Sequence, residues 1–474
     1  MLFLIRYGEL TLKSRPVRKR FLSLLDENIR ASLAARGIFF NLSVGWSRAH
    51  LRSDDPRAAQ VLGRSFGVTS FSPATSLLFK DLDDLLGQAR DFFAESVAGR
   101  SFAVRCRRTG RHPFRSPDVE RELGQALLGV SAGVNLESPE ITCYLELRGQ
   151  EAWLFHEKMK GPGGLPVGSS ARVLILLSGG YDSAVAAHMA LKKGSPVDYL
   201  FFNLGGADHA ARVLGVASIL AHDWSGASRS VLYSVDFAGV VGEIRKKVKP
   251  GYWNLALKHS FYAGAERFAL ARGYPALVTG ESLGQVSTQT LANLLALETT
   301  VSIPVLRPLL GLDKQEIVAL ARETGTATIS EGMTEFCDLA AAHAVTATTP
   351  EKLQKNLADL DPLVLEKALD SVEAIPLPAT LCEPDDLATT EVTDDAVVVD
   401  LRDPTQYEVW HWPGALLVGL EEIEAGAFHA ENDRTYIFYC GQDLKSVDAA
   451  RLLRQKGYRA FYFKGGTKGL RALQ

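Results

Sequence analysis

The sequence predicts a multidomain protein of mixed α/β and α+β architecture. Its 474 residues, 46% of them hydrophobic, are enough for about three domains at roughly 150 residues each. From Val173 onward, apolar runs alternate with amphipathic segments, which is typical of a parallel sheet covered by helices on both faces. A glycine-rich break, Gly161 to Gly164, and an acidic, proline-bearing stretch, 348–395, divide the chain. We therefore expect domain junctions at these two places.

The composition argues against several classes of protein. No apolar run is long enough for a secretion signal or a membrane span, so we expect a cytoplasmic protein with no membrane partner. The five cysteines lie far apart without a CxxC pair, which argues against a zinc ribbon or an extracellular disulfide framework. The net charge of −3 hides a basic region, residues 1–170, with 24 Lys and Arg against 18 Asp and Glu. A nucleic-acid partner therefore remains possible.

The first 160 residues mix short apolar runs with amphipathic segments, an α+β pattern. Arg105 and Arg107 flank Cys106 just after an apolar run, so one face of a strand could present both arginines to phosphates. The candidate RNA-binding residues are Arg105, Arg107, Arg108, Arg111 and Arg115. The alternative is that these arginines only form a solvated surface.

The clearest local signal is the turn Ser178-Gly179-Gly180-Tyr181-Asp182-Ser183, between an apolar strand and a helix. Its glycines allow a tight turn, and the N–H groups at the helix start, with two hydroxyls, form a cradle for phosphate. Asp182 adds a carboxylate that could hold magnesium. The lysine of a Walker A motif and the GxGxxG pattern are both absent. The turn resembles the PP-loop of the ATP pyrophosphatase superfamily, which splits ATP into AMP and pyrophosphate; an ordinary glycine turn is the alternative.

A second polar cluster, Thr279 to Thr290, follows another apolar strand. Loops at the carboxyl ends of parallel strands are where open α/β sheets bind ligands. A helix cap and turn would also explain the pattern. The stretch Asn203 to Gly206 is a weaker case of the same kind.

Two cysteines are candidates for sulfur chemistry. Cys440 ends an apolar run and precedes an amphipathic segment, so N–H groups at the helix start and Lys445 would favour a thiolate or persulfide anion. With Asp400-Leu401-Arg402 at the end of an earlier strand, this loop resembles the active-site loop of a rhodanese domain; a structural cysteine is the alternative. Cys337, in a polar stretch beyond the sheet, is a candidate resolving thiol that could form a disulfide with Cys440.

Together these motifs resemble the tRNA 4-thiouridine sulfurtransferase family, in its long form with a C-terminal rhodanese domain. The resemblance also rests on Arg6-Tyr7-Gly8-Glu9-Leu10 and on the order of the motifs along nearly the whole chain. It implies a ferredoxin-like domain (1–53), a THUMP RNA-binding domain (54–160), a PP-loop adenylation domain with a doubly wound parallel sheet (161–347) and a rhodanese-like α/β domain (396–474). The stretch 348–395 is predicted to be a helical segment followed by an exposed acidic linker.

The resemblance implies a reaction on tRNA. With ATP and Mg²⁺, the protein would adenylate O4 of the uridine at position 8, and a cysteine desulfurase would load Cys440 with persulfide sulfur. Cys440 would deliver the sulfur to C4, and Cys337 would release it, leaving a disulfide that a cellular reductant must reduce. Related proteins also supply sulfur to the carrier protein of thiamine thiazole synthesis, which makes that carrier a further expected partner.

Site residues follow from the same resemblance. The catalytic residues would be Cys440, Cys337 and Asp182. The implied ATP-binding residues are Leu176, Leu177, Ser178, Gly179, Gly180, Asp182, Ser183, Lys258, Gly280 and Gln289. Lys258 is assigned by the resemblance alone, because its local pattern predicts only a solvated helix lysine. Tyr181 stands where phenylalanine is more usual, and Thr334-Glu335-Phe336-Cys337 replaces a proline-led version.

Three other functions fit parts of the sequence. An RNA-binding protein with degenerate downstream domains would not need Asp182 or Cys440. A PP-loop synthetase for a small metabolite would not need the basic amino-terminal region. A persulfide carrier for thiamine thiazole synthesis would make no tRNA product. The sequence names neither the oligomeric state nor the magnesium ligands.

Overall fold

The computed structural model describes residues 1–331, 339, 344–377, 387–393, 395–431, 434–441, 444–455 and 458–473. Cys337 and Cys382 lie outside the described residues. The described strands form three sheets, as the predicted multidomain α/β and α+β architecture requires. None of the helices in these residues is long and apolar enough to cross a membrane.

The first sheet occupies the basic amino-terminal region. Its strands and helices are β1 (Leu2–Tyr7), α1 (Arg15–Ala35), β2 (Asn41–Val44), β3 (Ala49–Arg52), α2 (Arg57–Gly63), β4 (Val68–Leu78), α3 (Leu82–Val97), β5 (Ser101–Thr109), α4 (Ser116–Leu127), β6 (Gly133–Val134), β7 (Ile141–Arg148), β8 (Glu151–Phe155) and β9 (Met159–Lys160). The strand order is β2-β3-β1-β4-β8-β7-β5-β6, and β9 pairs with β4.

A single long strand, β4, joins the two halves of this sheet. Its first part pairs with β1 and its last four residues pair with β8. The two halves of the sheet therefore share β4, which lies beyond the predicted boundary after residue 53. Ala58, Val61 and Leu62, at helical spacing on α2, pack into the same core as α1 and β1, so the first half extends into β4.

The second sheet carries the glycine turn. Its elements are β10 (Val173–Leu176), α5 (Tyr181–Lys192), β11 (Val197–Asn203), α6 (Gly206–Trp224), β12 (Val231–Asp236), α7 (Ala238–Lys247), α8 (Trp253–Arg272), β13 (Leu277–Val278), α9 (Leu291–Glu298), β14 (Val305–Leu306), α10 (Lys314–Thr324), α11 (Ala327–Ser330), α12 (Pro350–Leu357), α13 (Pro362–Asp370) and β15 (Glu373–Pro376). The order is β14-β13-β10-β11-β12-β15, parallel except for β15. A separate apolar core packs on each face, which confirms the doubly wound sheet.

The described residues 350–377 pack with this second sheet. Strand β15 pairs with β12 in antiparallel register, and Leu353 and Leu357 on α12 are buried in the core formed with β11 and α8. Helix α12 turns two buried leucines inward while its charged residues stay exposed, in the part of this stretch where the sequence predicts a helical segment. A high acidic content therefore marked exposed helix faces as well as a connection.

The third sheet forms the carboxyl-terminal unit. Its elements are β16 (Ala388–Thr389), β17 (Ala396–Asp400), α14 (Pro404–Val409), β18 (Leu416–Leu417), α15 (Leu420–Glu424), β19 (Thr435–Tyr439), α16 (Leu444–Gln455), β20 (Arg459–Phe463) and α17 (Gly466–Arg471). The order is β16-β20-β19-β17-β18, with parallel pairing throughout the described strands. Four short apolar runs of the sequence correspond to β17, β18, β19 and β20: Ala396 to Leu401, Ala415 to Val418, Thr435 to Tyr439 and Ala460 to Phe463.

Candidate functional site

The glycine turn forms a compact loop between β10 and α5. Gly179 has φ +83°, and Gly180 caps the start of the helix. The Ser183 hydroxyl accepts a hydrogen bond from the Ser178 N–H at 3.2 Å and donates to the Gly180 carbonyl at 3.2 Å. The first N–H groups of a helix have no partner within the helix. The loop therefore presents the amides of a helix start, as a phosphate cradle requires.

Two side chains from other helices hold this loop in place. His209 Nε2 on α6 lies 3.0 Å from the Ser178 carbonyl oxygen. Ser330 Oγ on α11 donates to the Gly179 carbonyl at 2.8 Å. Neither residue could be identified from the sequence, because both contacts depend on how helices pack around the sheet.

The Asp182 carboxylate lies beside a lysine that the sequence pattern does not identify as a site residue. Lys314 Nζ is 2.8 Å from Asp182 Oδ1 and 3.2 Å from Oδ2, and Gln285 Nε2 donates to Oδ2 at 3.1 Å. Lys314 opens α10 directly after the capping residue Asp313, where a lysine has no functional signature. The pair puts one negative and one positive charge at the start of α5.

Gly280 allows the loop that follows β13 to touch α5. A Cβ atom at this position would lie 2.5 Å from the Asp182 carbonyl carbon and 2.5 Å from the Ser183 nitrogen. Such distances are far inside van der Waals contact, and both atoms belong to the backbone. Only glycine fits this close approach.

The turn and the loop 279–290 line one cavity of about 580 Å³. Nine of the ten expected ATP-binding residues line it: Leu176, Leu177, Ser178, Gly180, Asp182, Ser183, Lys258, Gly280 and Gln289. Gly179 lies within the same loop. Apolar walls come from Leu200, Phe202 and Phe261. This size, and apolar walls with a few converging polar groups, are typical of sites for small organic ligands.

A buried carboxylate supports the wall at Lys258. Glu281 is 1% exposed, and its Oε2 accepts hydrogen bonds from Tyr262 Oη at 2.5 Å, Thr279 Oγ1 at 3.0 Å and Arg307 Nε at 2.9 Å. Lys258 Nζ lies 3.3 Å from Oε1. Burial raises the pKa of Glu281, but Lys258, Tyr262 and Arg307 outweigh it and lower that pKa to about 2. The carboxylate is therefore ionised at neutral pH.

Two of the five candidate RNA-binding arginines lie on the sheet face of the amino-terminal region. Arg105 and Arg107 on β5 are exposed. Arg107 is in register with Glu146 on β7, which pairs with Arg6 at 2.7 Å and with Arg48 at 3.0 Å. Three arginines around one carboxylate leave this face positively charged.

An aromatic residue adds to the same face. The Tyr144 ring stacks on Phe155 with centroids 5.1 Å apart, and Lys158 Nζ lies 4.0 Å from the Tyr144 ring centroid. Exposed basic and aromatic side chains together are typical of surfaces that bind RNA. Arg48 and Lys158 escaped the sequence analysis because neither belongs to the arginine cluster.

The other three candidate arginines lie elsewhere. Arg108 approaches the ring of Phe114, with 5.8 Å between its guanidinium carbon and the ring centroid. Arg111 and Arg115 are exposed in the segment before α4. The structure therefore separates the five arginines into two groups.

Cys440 lies at the carboxyl end of β19. It is 5% exposed, and its Sγ is 3.6 Å from Ser446 Oγ in α16. Nearby, Asp400 at the end of β17 forms a buried ion pair with Arg402 at 2.6 Å. Lys445 is exposed. The cysteine and the ion pair end neighbouring parallel strands, the arrangement expected of a rhodanese active-site loop.

The remaining described cysteines are structural. Burial raises the pKa of the Cys106 and Cys143 thiols to about 12, and both pack within the core of the amino-terminal region. Cys337 lies outside the described residues, so its role as a resolving thiol stays a prediction. Cys440 is not among the cavity's described wall residues, which all fall between Leu176 and Ala344.

The fold and these sites define a class of protein. A PP-loop-type nucleotide site in a parallel sheet is fused to a rhodanese-like domain and to a basic α+β region. Family models match each of these regions: ThiI ferredoxin-like domain at residues 2–72, THUMP domain at 79–157, Thiamine biosynthesis protein (ThiI) at 168–361 and Rhodanese-like domain at 383–473.

Curated relatives cover nearly the whole chain. The tRNA sulfurtransferase of Thermoplasma acidophilum is 35% identical over 97% of this chain and 94% of its own length. That of Pyrobaculum aerophilum is 37% identical over 97% and 95%, and that of Pseudomonas putida is 34% identical over 95% and 97%. The chain belongs to the tRNA sulfurtransferase family.

Solved structures agree with this assignment. A crystal structure of a 4-thiouridine synthetase–RNA complex with bound ATP is 29% identical, with a TM-score of 0.68, and the match covers 79% of this chain and 99% of that one. The structure of PH1313 from Pyrococcus horikoshii matches with a TM-score of 0.53 over 68% of this chain and 99% of that one. At 24% identity, this second match supports the fold alone.

Proposed function

We propose that the protein makes 4-thiouridine at position 8 of tRNA, with ATP as the activating substrate and Cys440 persulfide as the sulfur donor. The observation that carries this proposal is the shared cavity. Residues from the glycine turn, from Lys258 and from the loop 279–290, far apart in sequence, line a single pocket. The related 4-thiouridine synthetase was crystallised with RNA and bound ATP.

The hydrogen-bond donors and positive charges around the cavity fit a nucleoside triphosphate. The amides at the start of α5 suit phosphate oxygens, and Lys258 and Lys314 supply positive charge at the wall. Gln289 is 8% exposed, and its Oε1 accepts no hydrogen bond from any residue that the structure describes. A buried polar atom without a partner on a cavity wall is well placed to meet a ligand. Mg²⁺ usually binds through one or two carboxylates and the substrate phosphates, a role that Asp182 could take.

The proposed chemistry divides between the two sites. ATP supplies the adenylyl group that lets O4 of the uridine leave as AMP. The outer persulfide sulfur on Cys440 forms a bond to C4 as AMP departs. The Cys337 thiolate then attacks Cys440 Sγ and breaks the sulfur–sulfur bond, which leaves sulfur on C4 and a Cys337–Cys440 disulfide. A cysteine desulfurase reloads Cys440 after a cellular reductant has restored both thiols.

The amino-terminal sheet face is the proposed tRNA surface. Arg105 and Arg107 are exposed beside Tyr144 and Lys158, and these groups suit phosphates and stacked bases. Arg108, Arg111 and Arg115 would extend the surface toward the start of α4. Recognition by shape and backbone would place the tRNA without base-specific contacts on this face.

A second role as sulfur donor for thiamine thiazole synthesis is also proposed. Cys440 lies in a sheet of its own, so its persulfide could be passed to a sulfur-carrier protein without use of the cavity. The family model that covers the second sheet is described as a thiamine biosynthesis protein.

Nucleoside mass spectrometry tests the main proposal. Unmodified tRNA is incubated with the protein, ATP, magnesium, a cysteine desulfurase, cysteine and reductant. We expect 4-thiouridine with the wild type and with C106S, which changes a half-buried thiol of the amino-terminal region, but not with Cys440→Ser or Asp182→Asn. Persulfide on Cys440 without thiolated tRNA would support the carrier function alone. ATP cleavage that tRNA does not stimulate would favour a synthetase for a small metabolite.

A further inference from the structure

The carboxylate of Glu281 uses its two oxygens unequally. Tyr262, Thr279 and Arg307 all donate to Oε2. Oε1 accepts no hydrogen bond from the residues that the structure describes, and Lys258 Nζ lies 3.3 Å from it. Three donors on one oxygen fix the direction of the carboxylate, so the other oxygen is held toward the lysine.

The charged residues around Glu281 form ion pairs. Arg307 binds Glu281 and also Glu298, with 2.6 Å between its guanidinium and the second carboxylate. Glu298 can therefore balance Arg307, which leaves the charge of Glu281 for Lys258. Lys258 and Tyr262 lie four residues apart on α8 and so share one face of the helix.

Lys258 contacts Glu281 and also lines the cavity. Unlike Glu281, it has a partly exposed side chain. Its side chain is 25% exposed, against 1% for Glu281. A lysine side chain has several freely rotating bonds, and an ion pair behind the ammonium restricts where it can point. The buried carboxylate is thus placed to fix an ammonium at the wall of a site for an anionic ligand.

We propose that Glu281 is a positioning residue, which holds the Lys258 ammonium at the cavity wall for the phosphates of ATP. This inference rests on the proposed function, since it assumes that the cavity binds ATP. Glu281 itself touches no ligand in this account. Arg307, which is not among the described wall residues of the cavity, acts on the ligand only through the carboxylate.

One substitution distinguishes this positioning role from simple charge repulsion, because the two predict opposite changes in ATP affinity. Glu281→Gln keeps the size of the side chain and removes its charge. If Glu281 only repelled the phosphates, its neutralisation would tighten ATP binding. If it positions Lys258, affinity falls by about tenfold, which corresponds to about 1.4 kcal/mol.

The test is calorimetric titration of ATP with magnesium, without tRNA, on the full-length protein. The matched control is Glu298→Gln, which removes a carboxylate from the same network without touching Lys258 and should change affinity by less than about twofold. Glu281→Asp keeps the charge but withdraws it by one methylene, and it should also weaken binding. This variant carries the test if Glu281→Gln does not fold.

A double-mutant cycle excludes a merely structural role. In a Lys258→Met background, Glu281→Gln should cost less than about twofold in ATP affinity, because the group it positions is gone. An equal loss in both backgrounds, or unchanged or tighter binding by Glu281→Gln, would overturn the inference. Failure of the wild type to bind ATP would instead overturn the proposed function on which the inference rests.

Discussion

The cavity and the Cys440 site are assembled in different ways. Lys314 and Asp182, which pair at the cavity, are 132 positions apart in the chain. At the other site, Cys440 and Ser446 are six positions apart, and Asp400 and Arg402 only two. The cavity therefore depends on the whole parallel sheet, whereas the cysteine site is made by a few strand ends. We infer a fixed activation site served by a self-contained sulfur carrier.

The largest expected effect separates the two sites completely. Cys440→Ser should lower 4-thiouridine formation by roughly 10³-fold or more, because it removes the nucleophile. The affinity for ATP should not change, since Cys440 is not among the described wall residues of the cavity. Quantitative nucleoside mass spectrometry and calorimetry measure the two quantities on the same preparation. A parallel loss of ATP binding would contradict the separation.

A second substitution should damage only the cavity. Gly280→Ala places a Cβ 2.5 Å from backbone atoms of α5, so we expect it to cost about 1–3 kcal/mol of stability and to weaken ATP binding. Gly87→Ala is the matched control, because Gly87 lies in α3 with no atom within 4 Å of an added Cβ. Thermal unfolding and ATP titration report the two effects. Wild-type ATP affinity in Gly280→Ala would show that the close approach is unimportant.

Acid should weaken the stabilisation that Glu281 gives to the cavity. The pKa of Glu281 is lowered to about 2 by its partners, so its stabilising contribution is complete above the unfolded value near 4.5 and is lost as the pH falls from there toward 2. The loss is at most about 1.4 kcal/mol per pH unit. Urea unfolding measures the free energy of unfolding at pH 6 and pH 3. The difference in this free energy between the wild type and Glu281→Gln should be smaller at pH 3. An advantage that is independent of pH would contradict this linkage.

The smallest effect concerns the RNA surface. Arg107→Gln should weaken tRNA binding a few-fold and reduce the slope of log K against log[salt] by about 0.7–0.9, the value for one phosphate contact. Arg121→Gln, on the exposed side of α4, should leave the slope unchanged. Filter binding at several salt concentrations makes the comparison. An unchanged slope for Arg107→Gln, as for Arg121→Gln, would show that the sheet face does not contact tRNA phosphates.

The sequence predicted the parts of each site that are local. The turn 178–183 and the Cys440 loop could be recognised because glycine spacing, an apolar strand and a following helix are neighbours in the chain. Lys314, Gln285 and Arg307 could not, since each reaches its carboxylate through the packing of distant elements. The packing of the acidic segment against the second sheet could not be predicted either, because charge alone does not distinguish a connection from the exposed face of a packed helix.

A single-turnover reaction tests the central claim most directly. The protein is loaded with persulfide on Cys440, freed of desulfurase and reductant, and mixed with unmodified tRNA in the presence or absence of ATP. We predict one 4-thiouridine per persulfide, and a Cys337–Cys440 disulfide, only when ATP is present. Thiolation without ATP, or loss of the persulfide with no thiolated tRNA, would contradict the division into an activation site and a sulfur carrier.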